Sequence, residues 1–414
     1  MRSTTALYLG SFAISSSFMM VFPLLPALQD RAGVPTGQLG LVAAAGFVAA
    51  LVAQLVVAPH ADRGRHRVVI GGAVVAMAAS SLVYVVVPTL TGMVLARIAA
   101  GMSYGAFIPT AIGLLVRAHP EAPGARIGRL QALNLAGVAV GPLLAVVAEM
   151  AIGVVPTLVL TAVLTAAAGY PVLTHRFESM GVHANTHGEP LWRAIGMLRH
   201  RAVLAAALMV IAYMLPIGAY DALYPVFMKD LGAPDWLLGV ALALFAVPAG
   251  LLATWAGRYA DRIGAFRAGA RGGLANVSII VLYGIITSPF AIAAVGLVES
   301  GGQAVLGAAA SAAMGFAVPG RRAVTAQGVG EASGTVAGAL IAIASAPLYA
   351  WGGAPALFFV TATCTLLALV GGWALGRSAQ PIEDRVPSPT CAPSPSTISA
   401  SSPSPSRVPA TTPS

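Results

Sequence analysis

Twelve long apolar runs set the limits on what this chain can become. They lie at roughly 5–28, 37–59, 68–87, 90–116, 128–149, 152–174, 202–227, 235–256, 268–287, 289–316, 328–350 and 355–376. A helix needs about 20 apolar residues to cross the hydrocarbon core of a bilayer. No water pairs a free backbone group there, so runs of this kind must be helical. The sequence therefore predicts an all-α polytopic membrane protein with 12 transmembrane helices. Composition agrees: 57% of the 414 residues are hydrophobic and 9% are charged, against about 25% charged in ordinary soluble domains. The shortest connections fall at Val87-Pro88 and Ser288-Pro289.

The charges then orient the helices. Of the 23 basic residues, only Arg31 and Lys229 fall on one side and only Arg97 falls well inside a run; the other twenty, Arg129 and Arg271 near the starts of their runs among them, fall on the opposite side. Such a bias marks the cytoplasmic face. It predicts a multi-pass protein of the cell (plasma or inner) membrane with both termini inside, and it supports an even number of spans. Topology thus accounts for the net charge of +9: the lipid bilayer is the expected partner, and nucleic acid is not. The run that follows Arg2 is longer than a signal-peptide core and lacks a clear small-x-small cleavage site, so it is expected to remain as the first span.

Four segments result. Residues 1–174 are expected to form one six-helix bundle and 202–376 a second. A cytoplasmic loop over 175–201 joins them, and a tail covers 377–414. Within the loop, Glu189–Arg201 fits either an amphipathic helix on the membrane face or a solvated linker. The tail is mostly Ser, Pro and Thr. It lacks the bulky apolar residues a core needs and is expected to be disordered.

Chemistry other than transport finds little support. Cys364 and Cys391 have neither redox nor metal-ligand spacing, and the seven histidines lie in or beside connections. No Gly-x-x-x-x-Gly-Lys-Ser/Thr phosphate loop occurs, which argues against ATP drive. No metal and no cofactor are expected. The spans hold no His–acid cluster and no Ser or Cys beside a base, so an enzyme is not expected.

Two charged connections are written almost alike. "APHADRGRHR" (Ala58 to Arg67) and "GRYADRIGAFR" (Gly257 to Arg267) each follow the second run of a half, and Asp62 and Asp261 are 199 positions apart. Gly40 and Gly239, which open those second runs, are again 199 apart. The halves read as parallel repeats of one six-helix unit, an architecture known among secondary transporters.

On these motifs the chain resembles the major facilitator superfamily across all twelve runs. The family's loop reads Gly-x-x-x-Asp-Arg-x-Gly-x-x-Arg, and Gly257, Asp261, Arg262, Gly264 and Arg267 match it. In the first copy Asp62 and Arg63 match, Ala58 replaces the leading glycine, and the residue between Arg63 and Gly64 is missing. The resemblance implies a gating latch. An aspartate at a helix end accepts from free amides of a neighbouring helix, and the contact breaks as the transporter changes face. Arg97 with Gly101 and Gly105 is similar to the family's Arg-x-x-x-Gly helix. Gly137, Gly141 and Pro142 in "GVAVGPLL" are similar to the motif of drug–proton antiporters, whose closing glycine pair is here Ala145 and Val146. The resemblance further implies two pseudo-symmetric bundles, a small-molecule substrate, protons as the coupling ion, export, and action as a monomer.

Ionisable groups inside a span are costly and tend to face a cavity. Arg97, Asp221 and Glu299 are such groups. Arg97 and Glu299 stand at similar depth in matched runs with opposite charges, and both are placed facing a central cavity. Glu299 or Asp221 is predicted to carry the coupling proton or to meet a cationic substrate. Asp221, in "GAYDALYP", fits an interfacial position equally well, and Arg97 fits a structural pairing. Tyr104, Tyr213, Tyr220, Tyr224 and Gln303 are candidates to line the pocket, while Asp30 and Glu149 read as wet ends of runs. The first run offers Tyr8 and Ser15 to Ser17 but no interior carboxylate. The leading reading is a proton-coupled exporter of small hydrophobic or cationic compounds. A nutrient importer on the same fold is the alternative, since fold does not fix function; a polytopic enzyme or sensor ranks last.

Overall fold

The computed structural model describes residues 2–118, 123–174, 195–318 and 323–380. All regular structure among the described residues is helical. The first half holds α1 (Arg2–Ala32), α2 (Leu39–Val52), α3 (His66–Val86), α4 (Leu90–Ala118), α5 (Pro123–Ile152) and α6 (Val154–Thr174). The second holds α7 (Arg201–Asp230), α8 (Asp235–Ile263), α9 (Ala265–Tyr283), α10 (Pro289–Ala317) and one long run, Ala323–Gly376. That run is two helices. Gly352 and Gly353 leave helical geometry, and Gly353 has φ 64°, so α11 covers 323–351 and α12 covers 354–376. Ten helical stretches are long and apolar enough to cross a membrane, the last being the joined pair 326–376. The remaining helix is α9, whose Arg267, Arg271 and Asn276 dilute its hydropathy.

The two charged connections are shorter than the sequence reading expected. The sequence predicts a loop at Ala58–Arg67; in the structure wide turns at Ala53–Val57 and Ala61–Arg65 carry the chain to α3 at His66, with the reversal at Gly64. Wide turns of this π type occur as single-turn bulges. In the second copy Gly264 alone separates α8 from α9. Gly64 has φ 85° and Gly264 φ 90°, a left-handed backbone that side chains disfavour. The motif glycine therefore makes the same reversal in both halves. The ninth helix also starts and stops a few residues before the expected run 268–287, because this glycine sets its start. Ser288 caps the next helix, accepting from the Ala291 amide at 3.5 Å with Pro289 behind it. Of the segment Glu189–Arg201, residues up to 194 lie outside the described part; a short 3-10 turn, Gly196–Arg199, leads into α7. The tail beyond 380 also lies outside it.

Packing repeats between the halves. In the first, α1 lies on α5 and α6, α2 on α4, and α3 on α4 and α6. In the second, α7 lies on α11 and α12, α8 on α10, and α9 on α10 and on Leu369 of α12. Across the halves, α2 meets α11 and α5 meets α8. The repeated glycines sit at those crossings. A side chain at Gly40 would collide with the Ala342 carbonyl of α11, and one at Gly239 would come within 2.6 Å of Val146 and 3.0 Å of the Pro142 carbonyl on α5. Removing the side chain is what lets the paired backbones approach.

The buried apolar residues show where the halves are joined. Met20 to Leu28 of α1, Leu39 to Ala44 of α2, Ala145 and Leu158 share one cluster with α7, α8, α10 and α11. All these first-half residues lie toward the arginine-poor ends of their helices. Toward the arginine-rich ends, Leu7, Ile14, Ile70, Phe107 and Leu115 belong to a separate cluster made by the first half alone. Ala256, Ala260, Val305 and Ala309 form a small third one in the second half. The halves thus share a core at one face and part at the other. Leucine in place of Gly40 or of Gly239 is expected to cost about 1–3 kcal/mol through overpacking, read as a lower melting midpoint in detergent. Gly72→Leu, where nothing lies within 4 Å of the added carbon, should leave the midpoint unchanged.

Candidate functional site

Three polar constellations sit where the halves face one another. The first is an ion pair across the halves. Arg97 of α4 donates from Nη2 to both carboxylate oxygens of Asp221 on α7, with side chains only 6% and 7% exposed. The guanidinium carbon lies 4.9 Å from the Phe18 ring centre and 5.0 Å from that of Phe22, both on α1, at cation–π distance. Gly46 of α2 leaves room beside it, since a side chain there would meet Arg97 Nε at 3.4 Å. The sequence places Arg97 and Glu299 at similar depth and leaves the partner of Arg97 open; in the structure that partner is Asp221. Asp221 is itself buried within the protein. Shifting Asp221 back by 199 positions lands on Phe22. Equivalent places in α1 and α7 therefore supply the ring and the acid that hold one guanidinium.

The second constellation surrounds Glu299 of α10, which is fully buried. Tyr220 on α7 donates to its Oε1 at 2.5 Å and Tyr283 on α9 donates to its Oε2 at 2.6 Å. The Tyr220 ring in turn packs against Tyr224, Tyr283, Phe245 and Phe358 at 5.9–6.5 Å. No ion pair engages Glu299 among the described residues. An ionised carboxylate held this way would be a buried charge without a counter-ion, a costly state. Because Tyr220 and Asp221 are consecutive, the sealed acid and the cross-half ion pair share one turn of α7. Gln303, one turn further along α10, accepts from Asn276 at 2.6 Å and donates to the Tyr213 carbonyl at 3.0 Å. It ties three helices together instead of facing an open pocket.

Tyr104 of α4 begins the third. Its hydroxyl donates to Asn134 of α5 at 3.2 Å, and Asn134 donates to Ser15 of α1 at 2.6 Å. Nearby stands Glu331 of α11, which is exposed and close enough to Tyr104 and Tyr213 to act on them electrostatically. The sequence reading did not single out Glu331, although the residue lies within the apolar run 328–350; an ionisable residue in a span was the available signal. Nor did it find Tyr283, Phe18 or Asn134, because nothing in a linear pattern separates a ligand tyrosine from a packing one.

The remaining candidates divide plainly. Gly137 and Gly141 press α5 onto α1: a side chain at Gly137 would reach the Phe12 carbonyl at 2.6 Å, and one at Gly141 would collide with Ser16. Pro142 and Val146, on another side of α5, face Gly239 of α8. Gly101 and Gly105 similarly seat α4 on Gly46 and Ala50 of α2. In the second charged connection Asp261, Arg262 and Arg267 are exposed, nothing crowds Gly257, and Asp261 has no ion pair among the described residues. The side chains of Asp62 and Arg63 lie outside the described part. At the opposite face Lys229 and Asp30 form an exposed ion pair of 2.8 Å across the halves, correcting the reading of Asp30 as merely wet. Beside it a cleft of about 170 Å³ is lined by Glu149 and Asp235 as well.

Comparison with known proteins now decides the family. Residues 7–274 match the profile of the Major Facilitator Superfamily. The chain belongs to the Major Facilitator Superfamily. As a member it is a multi-pass membrane protein, and its all-helical fold is the superfamily's. The crystal structure of the nucleoside transporter NupG, a point mutant, superimposes with a TM-score of 0.76 over 90% of this chain and 99% of that one, at 12% sequence identity. Identity that low speaks for the fold alone. A chloramphenicol resistance protein from Streptomyces lividans is 27% identical over 255 residues, 60% of this chain and 64% of that protein. The chain thus matches somewhat less than two thirds of the length of this curated relative.

The cross-half pair makes a direct prediction. Asp221→Asn leaves Arg97 a buried cation without its partner, a change that costs about 3–5 kcal/mol. Thermal unfolding of Asp221→Asn, Arg97→Gln and the double variant in detergent should show the double variant more stable than Asp221→Asn alone.

Proposed function

We propose that this transporter is a proton-coupled exporter of small hydrophobic or cationic compounds that works by alternating access between two six-helix bundles, 1–174 and 202–376, joined by the 175–201 loop. In this reading the arginine-rich face is cytoplasmic, the protein sits in the cell membrane as a monomer with both termini inside, and it needs no cofactor. The state described above is then inward-facing: the halves share their core on the outer side and have separated on the cytoplasmic side.

The observation that carries the proposal is the shared turn at Tyr220 and Asp221. Asp221 holds the two bundles together through Arg97, and Tyr220 holds Glu299. Adding or removing a proton at Glu299 changes what Tyr220 must do. Withdrawal of its hydroxyl moves the same turn that carries the cross-half ion pair. Proton exchange at Glu299 and separation of the bundles are thereby coupled through one stretch of backbone. Asp62, Arg63, Asp261 and Arg262 act on the cytoplasmic side as the latch that closes when the bundles come together there. The exposed, unpaired Asp261 fits a latch that is open in the inward-facing state. Similarity to a chloramphenicol resistance protein favours export over import, and the apolar surroundings of the buried charges favour a hydrophobic cargo.

Transport into inside-out vesicles tests this reading, with a fluorescent hydrophobic cation and an imposed proton gradient. Wild-type uptake should require the gradient, and Glu299→Gln should reduce it to background. Uptake that ignores the mutation would move proton coupling elsewhere, and uptake only in right-side-out vesicles would identify an importer. Asp261→Asn is expected to impair transport while the amount of protein in the membrane stays normal; unchanged transport would remove the latch role.

A further inference from the structure

We propose that Glu331 is the cation-recognising group of this transporter, its carboxylate meeting the positive centre of an amphipathic organic cation that enters from the arginine-rich face. The proposal deepens the export reading by fixing the charge class of the cargo, and it rests on that reading only for the direction of transport.

Helix periodicity places the residue. Seven residues make nearly two turns and eleven nearly three, so Glu331, Gly338 and Ala342 share one face of α11. The Ala342 carbonyl abuts Gly40 of α2, and a side chain at Gly338 would meet the Phe47 ring of α2 at 3.3 Å. That face of α11 therefore looks at the first half. Two turns closer to the arginine-rich end on the same face, Glu331 is exposed. Tyr104 of α4 lies within its electrostatic reach from one half and Tyr213 of α7 from the other. The adjoining positions Gly330 and Gly334 press on Met314, Val210 and Met214, which fixes the rotation of α11 and holds Glu331 toward the opening.

Charge accounting gives the ligand class. Arg97 is matched by Asp221, and Glu299 is sealed by two tyrosines. Thr335 donates to the Glu331 backbone carbonyl, but among the described residues no partner engages the Glu331 carboxylate. Among the described residues it is a free carboxylate on the face of α11 that looks at the first half, with Tyr104 and Tyr213 within its electrostatic reach. A carboxylate there attracts a cation strongly, because water screens it less than at an open surface, and aromatic faces add to that attraction. A free anion would be repelled.

Equilibrium binding of tetraphenylphosphonium to the purified full-length protein tests the assignment, since binding needs neither a proton gradient nor a known direction of transport. Wild type should bind it, Glu331→Gln should bind at least about tenfold more weakly, and Glu331→Asp should fall between them. The exposure of Glu331 makes Gln tolerable, and an unchanged melting profile would confirm an intact fold. As a second route, Glu331→Cys in a background of Cys364→Ala and Cys391→Ala should lose binding and regain it when the new thiol takes up a negatively charged methanethiosulfonate. Wild-type affinity in Glu331→Gln, or no binding by wild type, would overturn the proposal. Lost export with intact, Glu331-dependent binding would instead sink the export reading and leave this one standing.

Discussion

A guanidinium within the apolar span must be matched on the spot, and much of this structure follows from how Arg97 is matched. Its counter-ion is not on its own half but on α7 of the other. Two rings of α1 cover it, and a glycine of α2 makes room for it. Four helices thus converge on one charge. Pulling the halves apart at this depth would expose or strand both ions, whereas parting at the opposite end strands nothing. The ion pair therefore ties the two halves together at this depth. The first-half members of the shared core lie on one side of it, the first half's separate core lies on the other, and the sealed Glu299 is attached to the same turn of α7.

Small residues set the rest of the geometry. Helices in a bilayer gain little from burying apolar surface against one another, so close backbone approach has to be built in. Gly40 and Gly239 do this between the halves, and Gly137 and Gly141 do it within the first half. The replacement of a closing glycine pair by Ala145 and Val146 is explained by place. Val146 is the residue that fills the hollow left by Gly239, so a side chain at that position completes the cross-half contact.

Much of the fold was legible because its causes are local. Run length, the side on which arginines fall and the repeated offset of 199 are each readable without knowing a single contact. The site was legible only by residue type. An acid or base in an apolar run announces itself by cost, and Arg97, Asp221 and Glu299 were found that way. Which acid faces Arg97 depends on helix rotation and on the crossing of two halves, and no spacing rule contains that. The repeat offset relates Arg97 to Glu299 by depth alone and does not name its partner, because equivalent positions in the halves have diverged: Phe22 stands where Asp221 stands. Glu331 was missed for a simpler reason, its nearness to the end of a run, where an acid reads as part of the connection. The π-type turns before His66 were illegible because wide turns carry no residue signature of their own.

The exposed pair of Asp30 and Lys229 carries one more consequence. These residues are themselves 199 positions apart, so each is the other's counterpart in the repeat, and they meet where the two halves meet. If the halves were identical copies, that meeting point would bring acid to acid or base to base and repel. An attractive contact on a symmetry axis demands asymmetry between the partners. A single chain carrying both halves guarantees one of each sign, which two separate copies of either half could not do.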